Sequence, residues 1–461
     1  VVTGVQTCAL PILSRRGLFR VLGRIDRRGR GILSAVEERL KLGPDDLLQQ
    51  EALRFVAERL RPSVERVREH AGELFGRLEA LLERAEDGVL RLEEGPEHWA
   101  AGGEGLLPVY ENLRSGLDEL ARGLDQLRER IILDSRWAEK LEEQLLELQA
   151  LAGRVRAMLD ALRLTFDHGN DPVPLVRWLE RRGGGGGRDP NVVLNAAPVD
   201  ISRALRDALF ERVDTAVLTS ATLTTRTGFD FLRSRLGLHS GGMRIEEAVF
   251  PSPFDYPEQA VLAIPSDFPA PLSGESERFD RATARVVEEL AAMSDGGIFV
   301  LFTSYRSLQA VAAMLRRRGV DGRWPLFVQG EAQRGQLVER FAASGRGVLL
   351  GVASFWEGVD VAGEALRGLV IPKLPFKVPS EPLTAARIEA IENDGGNSFY
   401  EYMLPHAALR LKQGFGRLIR SRLDRGAVVL LDSRVITKSY GRYFLDSLPP
   451  APVHVAPWRA P

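Results

Sequence analysis

From residue 215 onward the chain is punctuated by short, nearly uninterrupted apolar runs, and helical stretches separate them. The runs are TAVLTSATL (215–223), GIFVLFTS (297–304), GVLLGVAS (347–354), GLVIPKLPF (368–376) and GAVVLLDSR (426–434). A strand that is apolar on both sides must be covered on both sides, so this pattern predicts a parallel sheet between two layers of helices. Ligands of such a sheet lie beyond the carboxyl ends of its strands. The polar residues that end the runs are therefore the candidates for chemistry: Thr219, Ser220 and Thr222, then Thr303, Ser304, Tyr305 and Arg306, then Ser354 to Asp360. Taken singly, a Ser or Thr at such a place reads as a helix cap. Several at one sheet edge point to a site.

The first half is written differently. From about Arg15 to Leu164 it reads as helices with little strand signal. Leu60, Val64, Val67, Ala71, Leu74, Leu78, Leu82, Ala85 and Val89 recur every three or four residues and predict one long amphipathic helix. Pro108 and the stretch AAGGEG (100–105) interrupt the pattern. Leu113, Leu117, Leu120, Leu124, Leu127 and Ile131 then form a heptad seam whose expected partner is a neighbouring helix of the same chain. A third helix, about Trp137 to Leu164, completes an antiparallel bundle. The run Gly183 to Gly187, flanked by arginines, reads as a linker or surface loop, because no helix opening with Lys-Ser/Thr follows it.

Charge and cysteine content narrow the function. The 62 basic residues nearly cancel the 63 acidic ones, which excludes a globally basic nucleic-acid coat and leaves local patches. The lone Cys8 excludes a disulfide framework or a multi-thiolate cluster within these 461 residues, and a reducing cytoplasm is the expected setting. No run approaches the ~20 apolar residues of a membrane helix. Residues 1–12, VVTGVQTCALPI, resemble neither a secretory signal nor a structural element and are expected to be a non-native leader.

The segment QGFGRLIRSRLDRG (413–426) carries the strongest signal. On a helix, Gln413, Arg417 and Arg420 would project from one face and converge on one polyanion. Guanidinium forks suit phosphate oxygens and the charge that develops in phosphoryl transfer. Between 412 and 442 there are eight basic residues against two acidic ones. In GVASFWEGVDVAG (351–363), glycines permit tight turns while Glu357 and Asp360 offer carboxylates to a sugar hydroxyl or a basic partner. Trp356 suits either a core or a base-stacking role.

Together these segments resemble the DinG/XPD-like branch of superfamily 2 helicases. TSATL (219–223) is similar to motif III, FTSYRSL (302–308) to motif IV, ASFWEGVDVAG (353–363) to motif V and QGFGRLIR (413–420) to motif VI, while SPFDY (252–256) also suits the family. The resemblance covers roughly residues 190–445. SRRGLFRVLGRIDRRGRG (14–31) resembles the stretch that follows the DEAH box, and the helices after it would match the Arch insertion. The implied fold is α/β, a RecA-like P-loop NTPase helicase motor domain with a helical, Arch-like insertion. The implied domains are 13–175 for the insertion, 176–250 for the end of motor domain 1 and 251–461 for motor domain 2.

The resemblance implies that Gln413, Arg417 and Arg420 face the γ-phosphate of ATP. Glu357, Gly358 and Asp360 would link nucleotide to DNA, Ser220 and Thr222 would couple hydrolysis to strand movement, and Thr303, Ser304 and Tyr305 would touch the single-strand backbone. The partners implied are single-stranded DNA and forked duplex DNA, with no membrane. The cofactors are ATP and Mg²⁺. Two parts of the family pattern are missing: no G-x-x-x-x-G-K-[ST] and no DEAH occurs, and none of the six lysines stands in a phosphate-loop context. The expectation is a chain that begins just downstream of DEAH, inactive as an ATPase alone, with any [4Fe-4S] cluster belonging to an upstream region. An RNA helicase, a nuclease-linked helicase and a non-catalytic helical interaction protein that self-associates through Leu113 to Ile131 remain as alternative readings.

Overall fold

The computed structural model describes residues 13–458 apart from 28, 44–45, 86, 102–103, 170, 172, 184–189, 239–243, 272–275 and 357–364. The chain divides into two compact units, Val1–Asp200 and Ile201–Pro461.

Unit 1 is built on helices α1 (Arg15–Ile25), α2 (Ile32–Lys41), α3 (Arg61–Leu82), α4 (Leu106–Ile132) and α5 (Glu142–Phe166). The apolar stripe predicted on the long helix is buried from Leu60 to Leu82, and every member of the heptad seam is fully buried. Pro108 does not break α4: it lies in the first turn, where its missing N–H has no helical partner to lose. Helices α3, α4 and α5 alternate in direction. Arg77, late in α3, donates to the Gly105 carbonyl at 2.9 Å, whereas Arg66, early in α3, pairs with Glu119 farther along α4. Likewise Tyr110 stacks near Phe166 while Asp125 meets Arg156, so α4 and α5 are antiparallel. Because the seam is covered inside the unit, it offers no surface for self-association through Leu113 to Ile131.

Unit 1 also holds a four-stranded antiparallel sheet, β1 (Leu13–Ser14), β2 (Val89–Leu92), β3 (Leu175–Arg182) and β4 (Asn191–Pro198), in the order β1-β4-β3-β2. The glycine-rich run therefore connects two paired strands of one hairpin, with Arg182 opposite Asn191. Residues 176–200 pack in unit 1.

Unit 2 contains a seven-stranded, wholly parallel sheet. Its strands are β5 (Ala260–Pro265), β6 (Ile298–Leu301), β7 (Leu326–Val328), β8 (Val348–Gly351), β9 (Gly368–Ile371), β10 (Gly426–Leu430) and β11 (Val453–Ala456), in the order β11-β5-β10-β9-β6-β8-β7. Successive side chains of β6 alternate between two cores: Phe299 and Leu301 join one, Ile298 and Val300 the other. The first core is closed by α8 (Arg334–Ser344) and α10 (Leu404–Phe415), the second by α6 (Ser276–Ser294) and α7 (Tyr305–Arg317). Helix α9 (Pro382–Asn393) precedes α10. Four of the five predicted runs are strands of this sheet. The fifth, TAVLTSATL (215–223), is not: it runs without strand pairing, with Val217 79% exposed. Apolar content alone cannot make a strand, since backbone N–H and C=O groups need a neighbouring strand, and none of the described strands pairs with this segment.

Candidate functional site

The carboxyl ends of β6, β8 and β9 lie side by side, and a single glutamine beyond β7 ties two of them together. The Gln329 Nε2 donates to the Tyr305 hydroxyl at 2.6 Å and to Ser354 Oγ at 3.1 Å, while its Oε1 accepts the Val352 N–H at 2.7 Å. Arg334 adds a bond to the Ser354 carbonyl at 3.0 Å. Thr303, Ser304, Tyr305 and Arg306 are all exposed at this edge. Ser304 is a helix cap as well, accepting the Ser307 N–H at 3.3 Å. Asp280, buried on α6 beneath the same edge, has its carboxyl pushed up by burial, against the opposing pull of Ser307, Lys373 and Arg306.

The basic segment 412–420 departs from its predicted geometry. Helix α10 stops at Phe415, so Arg417 and Arg420 lie beyond it and do not share a helical face with Gln413. Glycines stand on both sides of Phe415. A Cβ at Gly414 would come within 2.8 Å of the Trp356 ring, and Gly416 is the cap residue. Past the cap, the buried Asp424 carboxylate captures the N–H groups of Arg420 and Ser421 at 2.7 and 2.8 Å. The buried Gln259 side chain, from the SPFDYPEQ stretch, donates to the Ser421 and Asp424 carbonyls at 2.9 and 2.8 Å. Burial raises the Asp424 pKa, but the bonds from Ser421 and Arg420, with the Arg420 charge, outweigh it and hold the carboxyl below its ordinary value. A depressed carboxyl stabilises the folded state above its unfolded pKa of ~3.9 and loses that contribution as pH falls through the folded value. Hydrogen-exchange protection of the Arg420 and Ser421 amides, taken relative to the intrinsic rate at each pH, should therefore be high at neutral pH and fall in acid. In Asp424→Asn the protection should be low already at neutral pH.

Arg417 grips the carbonyl of Trp356 with Nε at 3.1 Å and Nη2 at 2.6 Å. Trp356 is fully buried and donates Nε1 to the Phe302 carbonyl at 3.0 Å, so it is a core residue. Gln413 reaches the motif III-like segment: its Nε2 lies 3.4 Å from Thr222 Oγ1, which lies 3.4 Å from Ser220 Oγ. Beside it, Lys412 donates to the Thr224 carbonyl at 3.2 Å and to its hydroxyl at 3.3 Å, and burial lowers its pKa. The structure thus brings Gln413, Ser220 and Thr222 together, and links Tyr305 to Ser354. Glu357, Gly358 and Asp360 lie outside the described residues.

Sequence reasoning missed Gln329, Gln259, Asp280 and the paired role of Lys412. Lys412 alone carried a signal, as part of the basic cluster. His406 on α10 supplies no base, because burial, and then Lys377, Arg410, Arg387 and Arg235, depress its pKa to about 3. No group of three or more His, Cys, Asp or Glu among the described residues could hold a metal.

A wholly parallel sheet covered by helices on both faces, with the motif IV-like residues directly beyond β6, has the RecA-like architecture of a helicase motor domain. Residues 287–451 match the helicase C-terminal domain family, and the chain is DinG/XPD-like. It is 38% identical over 259 residues to the ATP-dependent DNA helicase YoaA of Escherichia coli (strain K12), covering 56% of this chain and 39% of that one. It is 39% identical over 263 residues to the 3'-5' exonuclease DinG of Bacillus subtilis (strain 168), covering 56% of this chain and 28% of the other. The chain therefore spans well under half the length of these relatives. Among solved structures, an XPD helicase aligns with a TM-score of 0.53 at 15% identity, covering 85% of this chain and 62% of that one. An Xpd4 from S. tokodaii aligns with a TM-score of 0.51 at 15% identity, covering 92% and 74%. At that identity the likeness is one of fold. Among the described residues no helix is long and apolar enough to cross a membrane.

Proposed function

We propose that the chain is the C-terminal part of an ATP-dependent DNA helicase, which couples ATP hydrolysis to 5'-3' translocation on single-stranded DNA and to opening of forked duplexes. The observation that carries this reading is the contact of Gln413 and Lys412 with Thr222 and Thr224. It joins the cationic segment suited to phosphate to a hydroxyl-rich segment, so a change at the nucleotide can be felt along the chain. Arg417 has the reach to transmit the same change to Trp356, the residue directly before Glu357, Gly358 and Asp360. The Gln329 link fixes Tyr305 against Ser354, giving the single-strand backbone a preset pair of hydroxyl contacts next to an exposed ring. In this role Thr303 and Ser304 bind phosphate, Gln413 and Arg420 face the γ-phosphate, and Ser220 and Thr222 relay.

These residues supply charge stabilisation but no lysine of a phosphate loop and no DEAH acid. The 461-residue chain alone should accordingly bind single-stranded DNA weakly and hydrolyse ATP negligibly, while the full-length protein should show DNA-stimulated hydrolysis and strand separation. Both are read by phosphate release with and without single-stranded DNA. Robust turnover by the chain alone would show that the missing motifs are dispensable, and DNA-independent turnover by the full-length protein would remove the helicase reading.

A further inference from the structure

A strongly charged stripe on unit 1 is used by none of the above. Positions 14–30 hold seven arginines against one aspartate, a net +6, whereas positions 31–170 hold 19 basic and 29 acidic residues, a net −10. On α1, Arg16, Arg20 and Arg24 recur every four residues, about 6 Å apart along the axis, and all three are exposed. The opposite side of α1, with Leu18, Val21, Leu22 and Ile25, is buried, which fixes the arginines outward. Arg27 and Arg30 continue the line across a tight turn closed by their two backbone hydrogen bonds, 2.7 and 3.0 Å. Gly31 ends that turn at φ 110°, where a Cβ would stand 2.8 Å from the Arg24 and Ile25 carbonyl oxygens. Arg24 pairs with Glu147 at 2.6 Å. The side chains of Arg20, Arg27 and Arg30 have no carboxylate partner among the described residues, and an open groove of about 340 Å³ lies between Arg24, Arg27 and Arg30.

We propose that this stripe is a second nucleic-acid contact, which holds the sugar-phosphate backbone of DNA without reading its sequence. The inference rests on the DNA helicase reading and adds to it a site outside the motor domain. From Arg16 to Arg27 the stripe runs about 16 Å, the axial length of about five nucleotides of one duplex strand at ~3.4 Å each. An acidic protein partner would instead require apolar anchors at the centre of the patch, and none of the exposed large apolar side chains lies between residues 13 and 31.

The test measures binding of a labelled single-stranded oligonucleotide and of its duplex to the 461-residue chain across a salt series. The parent is compared with the triple variant Arg20→Ala, Arg27→Ala, Arg30→Ala, with the same three positions changed to Lys, and with Tyr305→Ala. The alanine triple should weaken DNA binding about tenfold or more and lower the slope of log K against log [salt] by about 2 to 3, roughly 0.9 per arginine. The lysine triple should restore most of the slope. Thermal melting should match the parent, since all three side chains are exposed. An unchanged slope in the alanine triple, with binding lost in Tyr305→Ala, would overturn the stripe and leave the helicase reading standing. No DNA binding by the parent would overturn both. Stripe-dependent binding of a poly-glutamate peptide as tight as that of DNA would overturn it in favour of an acidic protein.

Discussion

In the full-length helicase proposed above, Arg420→Ala should lower the rate of DNA-stimulated ATP hydrolysis about 10³-fold while leaving the affinity for single-stranded DNA within about twofold. The size is that of an arginine which stabilises charge on the transferred phosphoryl group. The specificity follows from how the residue is held. Its backbone is fixed at the N–H by Asp424 and on the far side of the loop by Gln259, both buried, so the guanidinium starts from a rigid base. A group placed in advance gains more in the transition state than one that must be ordered during the reaction. Arg420→Lys should recover little, because an ammonium cannot form the two parallel bonds of a guanidinium fork. Arg417→Ala should behave differently. Its guanidinium already grips the Trp356 carbonyl, so its loss should disturb both hydrolysis and DNA affinity. Steady-state hydrolysis and fluorescence anisotropy separate the two patterns. A fall of less than tenfold in Arg420→Ala would take this residue out of the phosphoryl step.

How much of this was legible in the sequence depended on whether a feature is local. β6, β8, β9 and β10 were readable because a run apolar on both faces has one physical outcome, burial on both faces. β5, β7 and β11 were not: LFV is three residues long, AVLAIP ends on a proline, and every residue of VHVA is exposed at the sheet edge. The heptad seam was readable as a stripe, and its place inside one unit follows from the α3 and α5 faces that cover it. The motif VI-like arginines show the limit of spacing arguments. A three-residue interval converges on one face only while the helix lasts, and α10 ends at Phe415, with Gly416 at the cap and Asp424 holding the amides of Arg420 and Ser421 beyond it. Gln329 and Gln259 were invisible for a related reason. Nothing in a glutamine's neighbours along the chain announces that its carboxamide will bridge two strand ends or clamp a loop 162 residues away.

Unit 1 should be as sensitive to one arginine as to a fully buried leucine of its heptad seam. Arg177 on β3 is 4% exposed, and its guanidinium meets both carboxylate oxygens of Asp171 at 2.6 Å. Its Nε also donates to the Leu164 carbonyl at 2.7 Å and Nη2 to the Asp167 carbonyl at 3.2 Å, so it closes the end of α5, where helical carbonyls have run out of partners. Asp167 in turn accepts the Tyr110 hydroxyl of α4, whose pKa is pushed up, first by burial and then by that bond. One side chain thus joins the hairpin to two helices. Arg177→Ala leaves a carboxylate and two carbonyls without their donor, a loss of about 3–5 kcal/mol, comparable to breaking a buried ion pair from one side. Arg177→Lys should recover less than half, since it keeps the charge but cannot serve three acceptors in one plane. Hydrogen exchange locates the effect: amides of α4 and α5 and of the β3–β4 hairpin should lose protection, whereas the sheet of unit 2, a separate compact unit, should exchange as in the parent. A loss of less than about 1 kcal/mol would mean that water replaces the guanidinium at these acceptors. The end of α5 would then be held by apolar packing around Phe166 alone.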